Sequence, residues 1–166
     1  IEVNAYLDRF NEPALELLHT HADSLTYVSI FSYSFTATGE LIPIEPEEAI
    51  SEAYAQNVTP MMTITNIVDE GFSRELMQTI LTNPALQTVL ITAIINMMQE
   101  KGFRALNVDL EYIPSDLHAE YNQFLANLAR EVHNEDFLIS SALAPKLSAD
   151  QQGILYESHD YRINGE

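Results

Sequence analysis

The sequence predicts an α/β fold built on a parallel sheet. Short runs rich in Val, Ile, Tyr and Phe alternate end to end with stretches of helical periodicity. Five such strand–helix units can be counted, and repeats of this kind imply parallel strands joined by right-handed crossovers. No antiparallel hairpin signal interrupts them. At 166 residues and 46% hydrophobic content, the chain suits a single domain with a substantial core.

The elements follow in order. A first strand covers about residues 3–7. Asn11 opens a helix with Pro13 in its first turn, running to about His21. Residues 24–35 read as a second strand, and the Thr38-Gly39 turn leads to a helix over 46–55. The third strand is TPMMTIT, residues 59–65. Ser73 caps one helix, and Asn83-Pro84 starts another that runs to Lys101 and stops at Gly102. Residues 103–112 form a fourth strand. The helix over 115–133 is amphipathic, with Leu117, Tyr121, Phe124, Leu125, Leu128 and Val132 on one stripe. Residues 137–143 form a fifth strand, ended by Ala144-Pro145. The tail from Ser148 is expected to hold a short helix and then a polar turn.

Two architectures fit this order, an open doubly wound sheet or part of an eight-stranded barrel. A doubly wound nucleotide-binding sheet usually carries a Gly-rich first turn. Here that turn reads Leu7-Asp8-Arg9-Phe10, and the 5 glycines form neither G-x-G-x-x-G nor a P-loop.

Composition removes other classes. With 25 Asp plus Glu against 7 Lys plus Arg, the net charge is -18, which opposes binding to nucleic acid or an anionic membrane. No cysteine is present, so disulfides, thiolate metal sites and cysteine nucleophiles are out. The longest apolar stretches are broken by polar residues, so no membrane span is expected. Ile1 leads straight into a strand, as expected of a mature or excised piece of a longer protein.

The chemistry concentrates in residues 102–114, GFRALNVDLEYIP. Side chains alternate across a strand, so Leu106, Val108 and Leu110 share one face and Asn107, Asp109 and Glu111 the other. The apolar face would pack beneath helices. The polar face lines up an amide and two carboxylates, climbing toward the strand's C-terminal end, where parallel α/β proteins place their active sites. Strands within a parallel sheet are covered on both sides, and buried carboxylates are costly unless they serve a site.

Asn107-Val-Asp109-Leu-Glu111 resembles the end of the D-x-x-D-x-D-x-E signature of family 18 glycoside hydrolases, the chitinase-type barrels. Asn107 stands where many chitinases have the middle Asp, and Arg104 where they have the first. The N-x-D-x-E-Y variant is similar to the spore-germination and cortex-lytic N-acetylglucosaminidase branch. Further blocks in that branch's order are Phe31-Ser32-Tyr33, PMMTITN (60–66), Tyr121 to Leu125, ALAPK (142–146) and LYESHDY (155–161).

The resemblance implies a (β/α)8 TIM barrel, of which residues 1–166 would supply the first five units of the catalytic domain. It implies substrate-assisted retaining hydrolysis of β-1,4-linked N-acetylglucosamine polymers, with no cofactor and no metal. Glu111 would be the general acid and base. Asp109 would orient the acetamido group and raise the pKa of Glu111. Asn107 would donate a hydrogen bond to Asp109. Tyr6, Phe31, Tyr33, Asn66 and Tyr112 lie at or near strand ends and are candidates to line a sugar pocket. The implied localisation is extracytoplasmic, at the bacterial wall or spore. A non-catalytic sugar-binding barrel is the alternative. The chain by itself is expected to lack activity and to self-associate through its open edges.

Other signals carry less. His19 and His21 point to different faces of a helix and do not form a metal site. Met61, Met62, Met97 and Met98 read as core filler. His159-Asp160 is expected to make a structural hydrogen bond.

Overall fold

A computed structural model describes residues 1–148, 151–153, 155, 156 and 159. Five strands form the main sheet: β1 (Asn4–Leu7), β2 (Tyr27–Tyr33), β3 (Thr59–Thr65), β6 (Ala105–Asp109) and β7 (Leu138–Ser141). They lie side by side in that order, and every neighbouring pair is parallel. Helices α1 (Glu12–His21), α2 (Glu47–Ala55), α3 (Arg74–Leu81), α4 (Pro84–Lys101) and α5 (His118–Asn134) fill the crossovers. The strand order never doubles back. Right-handed crossovers then bring every helix onto the same face, as in a barrel wall; a doubly wound sheet would reverse its order partway. Of the two architectures the sequence leaves open, the chain adopts the barrel.

Local sequence sets the helix ends. Asn11 caps α1 by accepting from the Ala14 N–H at 3.2 Å, and Ser73 caps α3 by accepting from Leu76 at 3.1 Å. Asn83 does the same for α4 ahead of Pro84. At the other end Gly102 takes φ +82°, and its N–H closes onto the Met98 carbonyl.

The core lies between the sheet and the helices. Ile30, Met62, Ile64, Leu106 and Val108 on the strands meet Ile50, Met77, Ile80, Ile94, Met98, Phe124 and Leu128 on the helices. Full burial of each such side chain contributes about 1.5–3 kcal/mol. The split of β6 is the one expected: Leu106, Val108 and Leu110 join this core, and Asn107 and Asp109 point the other way. Among the described residues no single helix is long and apolar enough to cross a membrane.

Three features depart from the sequence reading. An antiparallel hairpin is present: β4 (Ile67–Val68) pairs with β5 (Gly71–Phe72) around a turn with Asp69 at φ +55°. Two residues per strand leave no alternating pattern to detect. Second, β2 ends at Tyr33, and Phe35 makes an isolated antiparallel bridge to Leu41. Third, a 3-10 turn over Ser115–Leu117 precedes α5. The tail helix expected beyond Ser148 lies outside the described residues.

Candidate active site

The sheet face turned away from the helices carries the polar residues. Register brings Thr63, Asn107 and Ser140 side by side across β3, β6 and β7, with Thr65 beside Asp109 one step further along. Asn107 is buried, and both ends of its amide are occupied. Its Nδ2 donates to the Tyr6 hydroxyl at 2.9 Å, and its Oδ1 accepts from Ser140 Oγ at 3.0 Å. The amide bond seen in this direction goes to Tyr6 across the sheet; the expected one is to Asp109 along the strand. Tyr6 is 51% exposed and stands edge-on to Phe31, with ring centroids 6.1 Å apart. Burial raises the Tyr6 pKa and the Asp109 charge adds to this, with the Asn107 bond opposing. Tyr6, Phe31, Asn107 and Asp109 thus form one group.

Glu111 continues this face past the last ladder residue of β6. It is 8% exposed, and its Oε2 has no hydrogen-bond partner among the described residues. Burial first, and the charge of Asp109 second, push its pKa up to about 7. Desolvation is thus the larger cause, ahead of the Asp109 charge emphasised by the sequence reading. Asp109 is itself pushed up by burial. A carboxyl group titrating near neutrality with a free oxygen is suited to giving and taking a proton.

The main chain around Glu111 is held by side chains. The ladder ends at Asp109, so Asn66 takes over. Its Oδ1 accepts from the Glu111 N–H at 2.9 Å, and its Nδ2 donates to the Glu111 carbonyl at 2.8 Å and to the Ser73 carbonyl at 3.0 Å. Two acceptor carbonyls and one donor N–H fix the amide's orientation. Asn66 is fully buried behind the acid. Tyr112 follows at φ +58°, and its ring stands edge-on to Phe72 of the β5 hairpin at 5.9 Å.

Tyr33 does not join the group. The β2–β3 register shifts between Ile30 and Tyr33, so three steps along β2 match two along β3. Tyr33 therefore sits beside Ile64 on the helix side, buried and edge-on to Phe103, with its hydroxyl unpaired among the described residues. The extra residue, Ser32, stays with the polar face and meets Thr65 Oγ1 at 3.1 Å.

The sequence reading missed two neighbours of the site. Ser140 anchors Asn107, and only the β6–β7 register could have found it. Tyr121 reads as an apolar stripe residue of α5, yet its buried hydroxyl lies beside Ser141 and close enough to Glu111 for that charge to raise its pKa, after burial. His19, by contrast, bridges α1 to Glu52 and Gln56 at the surface.

No protein-family model matches the chain. It is 40% identical over 173 residues to the cortical fragment-lytic enzyme of Bacillus subtilis (strain 168), a match spanning 100% of the chain and 39% of that relative. The crystal structure of the Bacillus megaterium QM B1551 spore cortex-lytic enzyme SleL superposes with a TM-score of 0.92 at 31% identity, over 99% of this chain and 39% of that one. A chitinase from Chromobacterium violaceum ATCC 12472 shares the fold, with a TM-score of 0.89 at 20% identity, over 99% of this chain and 52% of that one.

Fold and relatives define the class by likeness: the fold is that of the chitinase-like barrels. In sequence the chain is similar to the spore cortex-lytic enzymes, and it spans 39% of the length of the first of these.

Proposed function

We propose that the protein containing this chain hydrolyses β-1,4-linked N-acetylglucosamine polymers of the spore cortex by a substrate-assisted, retaining mechanism. The observation that carries this reading is Glu111, a buried carboxyl group with a pKa of about 7 and a free Oε2 beside Asp109. Protonated Glu111 gives its proton to the glycosidic oxygen as the bond to the anomeric carbon breaks. The sugar's own acetamido oxygen closes onto that carbon to form an oxazolinium ion. Asp109 accepts from the acetamido N–H and stabilises the positive charge. Glu111, now a carboxylate, takes a proton from the water that reopens the ring, so the anomeric configuration is retained and the acid is regenerated. Tyr6 and Phe31 offer aromatic surface to the sugar, with Tyr112 beyond Glu111.

Residues 1–166 form the first five units of the catalytic domain in this reading, and the protein acts outside the cytoplasm at the spore wall. Relatives named for cortex lysis and sporulation support it. The test is hydrolysis of cortex fragments or chitooligosaccharides by the full-length protein. Glu111→Gln should lower kcat by about 10²–10⁴-fold, the usual contribution of a general acid–base. Wild-type-like turnover in that variant would end the assignment, and binding without turnover in the wild type would favour a sugar-binding barrel instead.

The isolated 166 residues present β1 and β7 as open edges, with Tyr6 and Leu138 about half exposed on them. Self-association through these edges follows from their unpaired backbone groups. Sedimentation should therefore show species larger than the monomer, and a purely monomeric chain would refute it.

A further inference from the structure

We propose that Asn66 and His159 act together as positioning residues that lock the two peptide groups flanking the Glu111 α-carbon and thereby aim its carboxyl group. This rests on reading Glu111 as the proton donor.

Three main-chain polar atoms surround that α-carbon on the side chain's approach: the Leu110 carbonyl, the Glu111 N–H and the Glu111 carbonyl. Each is bonded by a side chain. His159 Nε2 lies 3.0 Å from the Leu110 carbonyl. Since a carbonyl only accepts, Nε2 carries the proton. The Glu111 N–H and carbonyl go to the two ends of the Asn66 amide, at 2.9 and 2.8 Å. The Leu110 carbonyl and the Glu111 N–H belong to one peptide plane, which is therefore gripped at both ends by residues 45 and 49 positions from their targets. The next plane is gripped at its carbonyl.

The grip is needed at this point in the chain. The β ladder has ended at Asp109, so no neighbouring strand holds these groups. Tyr112, next in line, is held at φ +58°, a left-handed conformation that costs a bulky residue about 1–3 kcal/mol. Released, the segment would relax toward ordinary backbone angles and carry the Glu111 side chain with it. Both gripping residues are buried, at 0% and 1% exposure. His159 is itself wedged: its ring packs on Tyr121 at 5.9 Å, and its carbonyl takes the Lys146 ammonium at 2.8 Å. Its second nitrogen, Nδ1, has no partner among the described residues. Among the described residues, the one hydrogen bond that the ring makes is therefore to the peptide of the acid. The structural hydrogen bond expected of His159 exists, but it reaches across 49 residues to the site.

The test compares His159→Leu, which removes the donor, with His159→Gln, whose Nε2 has the same reach, and with Asn66→Ala. In the full-length protein, His159→Leu and Asn66→Ala should each lower kcat on chitooligosaccharides by about 10²-fold, the cost of a displacement near 1 Å, with KM changed by less than about threefold. His159→Gln should recover most of the loss. A role confined to stability would move the unfolding midpoint of Leu and Gln variants alike and leave kcat within about twofold, which would overturn the proposal. If Asn66→Ala does not fold, the His159 pair decides. Glu111→Gln runs in the same assay, because retained activity there would sink the catalytic reading and not the clamp. In that event hydrogen exchange of the Glu111 amide decides: His159→Leu should quicken it at least about tenfold, and an unchanged rate would refute the clamp.

Discussion

Asn107 and Glu111 sit four residues apart on the same strand line, and the protein treats them in opposite ways. Asn107 has its side chain satisfied at both ends, by Tyr6 and Ser140, while its backbone rests in the β6 ladder. Glu111 has its backbone fixed by Asn66 and His159, while its carboxyl tip has an oxygen with no partner. A satisfied buried amide stabilises the fold and resists change. An unsatisfied buried acid does the reverse: it costs stability and stays available for a proton. The step from one to the other along a single strand is the step from a satisfied buried amide to a buried acid whose pKa is pushed up to about 7.

That comparison makes opposite predictions for stability. Asn107→Ala should destabilise the protein by about 2 kcal/mol, since it removes two hydrogen bonds and leaves the Ser140 hydroxyl without its acceptor. Denaturant unfolding measures this directly. A loss below about 0.5 kcal/mol would mean that the amide is not holding β1, β6 and β7 together as described.

Glu111→Gln should show the other sign, and only in one pH range. The folded-state pKa of Glu111 is about 7, against an ordinary 4.5 for an exposed glutamate. Below pH 4.5 both states hold the proton, and the residue costs nothing by titration. Between pH 4.5 and about 7 the unfolded state has released its proton while the folded state still holds it, so native stability declines across that range and levels off above it. Removing the titration should therefore make the variant gain about 1–2 kcal/mol on wild type between pH 4.5 and pH 8, less than the full shift because water at the mouth screens part of it. Thermal melts of both proteins at the two pH values give the double difference. No pH dependence in that difference would mean the acid is solvated and ordinary.

Much of this was legible in the sequence. The third strand was placed at its observed limits, and the two faces of β6 followed from alternation alone, because period two survives wherever the ladder is regular. The same alternation places Asp109 on the polar face of β6, with Glu111 continuing it. What escaped depends on irregularity or on long range. The hairpin of β4 and β5 is too short to show a period. Asn66 could be placed at the end of a strand, but its task, bonding a peptide 45 residues later, has no local signature. Asn107 was expected to serve Asp109 along its own strand, and the bond seen goes to Tyr6 across the sheet. In each case the controlling contact is set by register between strands, which a single chain pattern does not display.

Tyr33 is the sharpest of these misses and yields the smallest predicted effect. Regular alternation would have placed it with Phe31, on the polar face. One extra residue in β2 turns it into the helix-side core, where its ring is buried against Phe103 and its hydroxyl has no partner among the described residues. Burial accordingly pushes the phenol's pKa upward, with the charges of Glu47 and Glu100 adding to it. A buried, unpaired hydroxyl is a cost that phenylalanine avoids without opening a cavity. Tyr33→Phe should thus be neutral or stabilising by up to about 1 kcal/mol, worth a few degrees in the unfolding midpoint of a domain this size. It should leave KM for chitooligosaccharides unchanged. A rise of several-fold in KM would return Tyr33 to the sugar site and show that β2 carries its residues in ordinary alternation up to its end.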